Sequence, residues 1–105
     1  MTLRNILTLH GYEVAGEAAN GVESVELYKT LMPDAVIMDV AMPKMDGVTA
    51  LKEIRSFDPN ANVVLMAAVP EHLNVAEALK AGAKDFIVKP FQPDRVMAAM
   101  AKVLG

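Results

Sequence analysis

Two side chains of opposite charge stand where short apolar runs end. Ala35–Asp39 closes on a carboxylate, and Asp85–Lys89 closes on an ammonium. Val36-Ile37-Met38 is a continuous apolar run, as strands covered on both faces require. In open parallel sheets, ligands bind beyond the carboxyl ends of the strands, which makes Asp39 and Lys89 candidates for one site. A carboxylate there can attack an electrophilic phosphorus, and an ammonium can neutralise the transferred oxygens. Each residue also has a plainer role: Asp39 as an acceptor for turn N–H groups, Lys89 as a solvated strand-end lysine. A third run, Asn62–Ala67, ends in Ala67-Ala68-Val69-Pro70, which offers neither charge nor hydroxyl.

The elements that must position these residues follow from the spacing of apolar positions. Strands are predicted over Tyr12–Glu17, Ala35–Asp39, Asn62–Ala67 and Asp85–Lys89. Between them, helical stripes run through Val22, Val25, Leu27/Tyr28 and Leu31, and through Val48, Leu51, Ile54 and Arg55. Further stripes join Leu73, Val75/Ala76, Leu79 and Lys80, and then Val96, Met97, Met100, Val103 and Leu104. Asn20-Gly21 and Asp46-Gly47 precede two of these helices, Asp58-Pro59-Asn60 and Gly82 end two, and Pro93 sits in the opening turn of the last. Strand–helix alternation four times over predicts an open α/β sheet with helices on both faces. Leu3, Ile6, Leu7 and His10 also keep helical spacing, so the chain is expected to begin inside a helix.

Composition narrows the function classes. The 105 residues suit a single domain, 1–105, and the net charge of −3 with a pI near 5.3 gives no attraction for nucleic acid or an anionic membrane. Absence of cysteine removes disulfides, thiolate nucleophiles and cysteine metal sites, and His10 and His72 are too few and too scattered for a histidine cluster. No apolar run approaches the ~20 residues of a membrane span, and no signal peptide opens the sequence. A soluble, cytoplasmic domain is expected.

Asp39 with Met42-Pro43 and Asp46-Gly47, followed by Lys89-Pro90-Phe91, resembles the receiver domain of bacterial response regulators. Asn20-Gly21 through Tyr28, and the run from Ala78 to Pro90, are similar to the same family, particularly its single-domain chemotaxis regulators. The resemblance implies a flavodoxin-like, doubly wound parallel sheet and a place in a two-component phosphorelay. It implies Asp39 as phosphoacceptor, Lys89 as the phosphoryl-pairing lysine and Phe86 as a switch aromatic. It further implies Mg²⁺ held by Asp39 and the carbonyl of Ala41, with a histidine kinase as donor. An output protein is expected on the 71–104 face. The chain would be a signalling protein and not an enzyme.

Two departures from the family pattern qualify these expectations. The first strand and its acidic pair have no counterpart, leaving an N-terminally truncated fold with four recognisable strands and few ligands for a hard cation. Ala67 stands where the family has a hydroxyl donor to the phosphoryl group. Weak Mg²⁺ binding and slow phosphorylation are therefore expected, with a phosphorylation-independent interaction module as the alternative. In the family's strand order 2-1-3-4-5 the absent strand is interior. Each unsatisfied buried backbone group costs about 1–3 kcal/mol, so a dry gap is excluded for a domain stable by about 5–15 kcal/mol. Tyr12–Glu17 is then expected to pair with Ala35–Asp39 directly, or with another copy in a homodimer.

Overall fold

A computed structural model describes residues 2–40, 45–67 and 75–104. In chain order these form α1 (Leu3–Leu9), α2 (Gly21–Leu31), β1 (Val36–Asp39) and α3 (Gly47–Phe57), then β2 (Val63–Ala67), α4 (Val75–Ala81), β3 (Asp85–Val88) and α5 (Pro93–Leu104). Polar side chains open three of the helices. Thr2 accepts from the Asn5 N–H at 3.1 Å, Asn20 from Glu23 at 2.9 Å and Asp46 from Thr49 at 2.8 Å, each satisfying a donor that the first turn leaves over.

The three strands form one parallel sheet in the order β1-β2-β3. Its register pairs Asp39 with Met66 and Ala67 with Val88, so all three carboxyl ends lie along one rim. All five residues of the central strand are buried, as a strand flanked by neighbours and covered on both faces must be. Alternation divides its side chains. Val63, Leu65 and Ala67 join Val25, Tyr28, Leu51 and Ile54 beneath α2 and α3, while Val64 and Met66 join Ile6, Ile87, Val96 and Met100 beneath α1 and α5. Burying each large aliphatic residue stabilises the fold by roughly 1.5–3 kcal/mol.

The expected strand over Tyr12–Glu17 does not form: residues 12–18 lie outside any helix or ladder, and the described sheet has three strands, not four. Direct pairing with β1 does not occur either. A groove of about 790 Å³, lined by residues 12–19 and by Val36–Asp39, lies where that ladder would run. Gly16 and the carboxylates of Glu13 and Glu17 also weigh against strand formation. The groove is open to solvent. Leu31 and Leu104 on its lining are 42% and 39% exposed, so water reaches the groove and can solvate the strand edge. Three apolar stripes are narrower than expected. Val22, Leu31, Leu79 and Leu104 are exposed, and the buried faces pass instead through Val25, Tyr28, Ala78, Val96 and Met100. The helix expected through Leu73, Val75/Ala76, Leu79 and Lys80 is described from Val75 onward; Leu73 and His72 lie outside the described residues.

Candidate functional site

The site is built at the carboxyl rim of the sheet. The Val40 N–H donates to Met66 O at 2.8 Å, and the Lys89 N–H donates to Ala67 O at 2.8 Å. These two bonds extend the ladder one residue past β1 and β3 and fix the outlets of both strands. Asp39 and Lys89 thereby stand on either side of Ala67. Strands one removed from each other lie about 10 Å apart, a span that lysine's four-carbon stem can cross. Lys89 Nζ reaches over the central strand and donates to Asp39 Oδ2. Both side chains are about one-third exposed, 33% and 30%. The pair is thus partly withdrawn from water yet open to an incoming ligand.

Close backbone packing joins the start of α3 to the end of β1. The Gly47 N–H donates to Val40 O at 2.9 Å, folding the start of α3 back onto the end of β1. A Cβ on Gly47 would come within 2.5 Å of Asp39 O, and one on Gly21 within 2.0 Å of Met45 O. Both contacts are with backbone, so only glycine lets α3 approach the end of β1, and α2 approach Met45, this closely. Asp46 caps α3 with both carboxylate oxygens, accepting from the Thr49 N–H and from Thr49 Oγ1 at 3.0 Å. The N–H of Thr49 is the main reason its carboxyl lies below the usual range.

Of the residues singled out from the sequence, Asp39 and Lys89 meet. Ala67 ends β2 between them, buried and without a hydroxyl. Phe86 is half-buried on β3 and packs against the cluster beneath α2 and α3. The Lys89–Pro90 peptide is cis. Ala41, Met42 and Pro43 lie outside the described residues. Asp46 serves as a helix cap, as the Asp-Gly punctuation suggested, and His10 stands at the C-terminus of α1. Among the described residues, no group of three or more His, Cys, Asp or Glu gathers that could hold a metal ion. With Asp39 as the carboxylate that the described residues place at this rim, those residues do not by themselves make a cage for an octahedral hard cation such as Mg²⁺.

One residue pair at the base of β3 escaped the sequence reading. Asp85, 9% exposed, accepts from Arg95 of α5 through both oxygens at 3.0 and 3.1 Å. The Phe86 N–H donates to Asp85 Oδ1 at 2.8 Å, and Arg95 also donates to Phe86 O at 2.5 Å. Burial pushes the Asp85 carboxyl up. The hydrogen bonds from Arg95 and Phe86, with the charges of Arg95 and Lys102, outweigh it and hold the group below its usual value. An acidic residue opening an apolar run, with an arginine early in the next helix, was the available signal.

Residues 1–101 match the response regulator receiver domain family. The chain belongs to that family. The receiver domain is 58% identical over 103 residues to the chemotaxis protein CheY of Thermotoga maritima, covering 98% of this chain and 86% of that one. It is 51% identical to CheY of Bacillus subtilis, covering 100% and 88%. Among solved structures it resembles the CheX–CheY–BeF₃–Mg²⁺ complex of Borrelia burgdorferi, with a TM-score of 0.92 and 40% identity over 98% of this chain and 78% of that one. The receiver domain is therefore a two-component signalling module of CheY type with a flavodoxin-like fold. No helix among its described residues is long and apolar enough to cross a membrane.

Proposed function

We propose that this receiver domain works as a cytoplasmic chemotaxis regulator, with Asp39 accepting a phosphoryl group from a histidine kinase. The contact of Lys89 Nζ with Asp39 Oδ2 at the carboxyl rim of the sheet carries the reading. An Asp39 oxygen attacks phosphorus as the P–N bond of a phosphohistidine breaks, and the departing imidazole takes a proton from solvent. Lys89 then pairs with a transferred oxygen, offsetting the charge gained at the rim. Because the chain itself is modified, it acts as a signalling protein and not as an enzyme turning over a separate substrate. Phe86, half-buried on β3 three residues before Lys89, is the aromatic expected to follow the change.

Ala67 cannot donate a hydrogen bond to the phosphoryl group, and Asp39 with the carbonyl of Ala41 makes a sparse set for Mg²⁺. Slow modification and weak Mg²⁺ affinity follow. The output protein is assigned to the 71–104 face, where Lys80 is exposed on α4 and Lys102 is 62% exposed on α5. A Lys80→Glu or Lys102→Glu change should weaken that contact.

Incubation with Mg²⁺ and acetyl phosphate, read by intact mass and peptide mapping, tests the reading. One phosphoryl group should appear on Asp39 and none in Asp39→Asn. Ala67→Ser should speed the reaction by about 100-fold or more, since such a donor is worth about 2.7–4 kcal/mol at a transition state. No adduct on either the native chain or Ala67→Ser would overturn the assignment. It would leave a receiver that binds partners without phosphate.

A further inference from the structure

Two independent constraints at the start of α2 set an asparagine directly before a glycine. Asn20 caps the helix. Its Oδ1 accepts from the Glu23 N–H at 2.9 Å, its carbonyl accepts from the Ser24 N–H at 3.0 Å, and Glu23 Oε1 accepts from the Ala19 N–H at 3.3 Å. Gly21 is buried, and its close approach to Met45 O leaves no room for a Cβ. The cap and the packing together create a dipeptide in which a side-chain amide lies next to an uncrowded main-chain nitrogen, the arrangement that favours cyclisation.

We propose that Asn20-Gly21 is a latent deamidation site, held inert by the folded first turn of α2 and released when that turn opens. The Gly21 nitrogen gives its proton to a solvent base and bonds to Asn20 Cγ. The Cγ–Nδ2 bond breaks, and ammonia leaves with a proton from water. Water then opens the cyclic imide at either carbonyl, giving aspartate or isoaspartate at position 20. Ring closure requires Gly21 N to eclipse Asn20 Cβ about the Cα–C bond. The extended backbone of Asn20, with ψ at 172°, keeps the two staggered, and the bond from Glu23 holds the amide in its capping position. Turning that peptide would also drag Gly21 from its seat against Met45. The reaction therefore waits for a local opening. Asp46-Gly47 is the chain's other dipeptide of this kind. Its carboxylate must be protonated before it can lose oxygen as water, and the Thr49 N–H holds that carboxyl below its usual range.

The two products differ in their effect. Aspartate keeps the cap and adds a negative charge at a helix N-terminus, where it is favourable. Isoaspartate routes the main chain through the former side chain and inserts a methylene before Gly21, which then cannot keep its place against Met45. Met45 directly precedes Asp46, the cap of α3, and the Gly47 N–H of that helix donates to Val40 O at the end of β1. Damage at position 20 is thereby carried to the outlet of the strand that bears Asp39.

Ageing the full 105-residue chain in mildly alkaline buffer, folded and in urea, tests the site. Peptide mapping with electron-transfer fragmentation distinguishes isoaspartate from aspartate. In urea, Asn20 should react ahead of Asn5, Asn60, Asn62 and Asn74, none of which precedes glycine. The folded chain should react about tenfold or more slowly. Glu23→Ala, which loosens the first turn, should speed the folded reaction about fivefold and leave the rate in urea unchanged. The isoaspartyl chain, purified by anion exchange, should show shifted amide resonances at Met45 and Asp46, whereas Asn20→Asp should leave them near their native positions. Equal rates in the folded chain and in urea, a folded rate indifferent to Glu23→Ala, no isoaspartate at position 20 in urea, or unshifted resonances in the isoaspartyl chain would overturn the proposal.

Discussion

Replacing Arg95 with methionine keeps most of the side-chain stem and removes the charge that faces Asp85. In the native chain, Asp85 is 9% exposed and takes two guanidinium hydrogen bonds, while Lys102 stands 4.0 Å away as a weaker neighbour. Breaking a fully buried pair costs about 3–5 kcal/mol because a charge is left without a partner. The Arg95 side chain is 39% exposed, so solvent screens part of that interaction and the cost falls to about 2 kcal/mol. For a domain of this size that is a drop in Tm of roughly 8–16 °C. The pH dependence has a fixed sign. The Asp85 carboxyl is held below its usual value in the folded state, so its contribution is complete above the unfolded Asp range, about 3.9, and is lost as pH falls through the folded value. Urea melts of the native chain and Arg95→Met should therefore differ by about 2 kcal/mol at pH 7. The difference should shrink as pH falls below about 4. With Arg95 gone, burial should dominate and the Asp85 carboxyl should titrate above its usual range by NMR. A gap that stays constant into acid, or one that is absent at pH 7, would refute the clamp.

Leu65→Ala removes a fully buried side chain from the central strand and should cost about 2–5 kcal/mol in a urea melt, with the spread set by how far the cavity collapses. Gly47→Ala places a Cβ within 2.5 Å of Asp39 O, so it should destabilise the chain and also shift the backbone resonances of Asp39 and Val40. Tyr28 donates to Asp58 Oδ2 at 2.7 Å, and burial, aided by that bond and by the Asp58 charge, pushes its hydroxyl up to about 12. Its contribution is complete below the unfolded value near 10 and is lost as pH rises through about 12. Tyr28→Phe should cost about 1 kcal/mol at pH 7 and flatten that alkaline loss.

Much of the rim was legible because its residues sit at the ends of unambiguous strands. Val36-Ile37-Met38 and Val63-Val64-Leu65-Met66 carry no polar alternation, and their bounds moved by a single residue on folding. The meeting of Asp39 and Lys89 came from two ingredients, a parallel sheet and strand ends, and β2 between them sets the span that lysine crosses. Tyr12–Glu17 misled because Tyr12 and Val14 suggested a strand despite Glu13, Gly16 and Glu17, while a strand exists only beside a ladder partner, and among the described residues it has none. Arg95 and Asp85 were hidden because nothing in their spacing states which way α5 packs on β3. The exposure of Leu79 has a similar origin: helical periodicity marked a stripe, but Ala78, one residue earlier, is the side chain that the neighbouring helix covers.

The groove beside β1 bears on how an open sheet edge can persist. Five or so unpaired backbone groups, each costing about 1–3 kcal/mol if dry, would consume the whole stability of an ordinary domain. That argument holds for dry groups alone. Here the edge faces a space of about 790 Å³ whose lining includes half-exposed leucines and the charged residues Arg4, Glu13 and Glu17. Water can enter, and a hydrated edge forgoes pairing without meeting the desolvation penalty. What remains unfavourable is the apolar surface of Leu7, Leu27, Leu31, Met100 and Leu104, which water covers poorly.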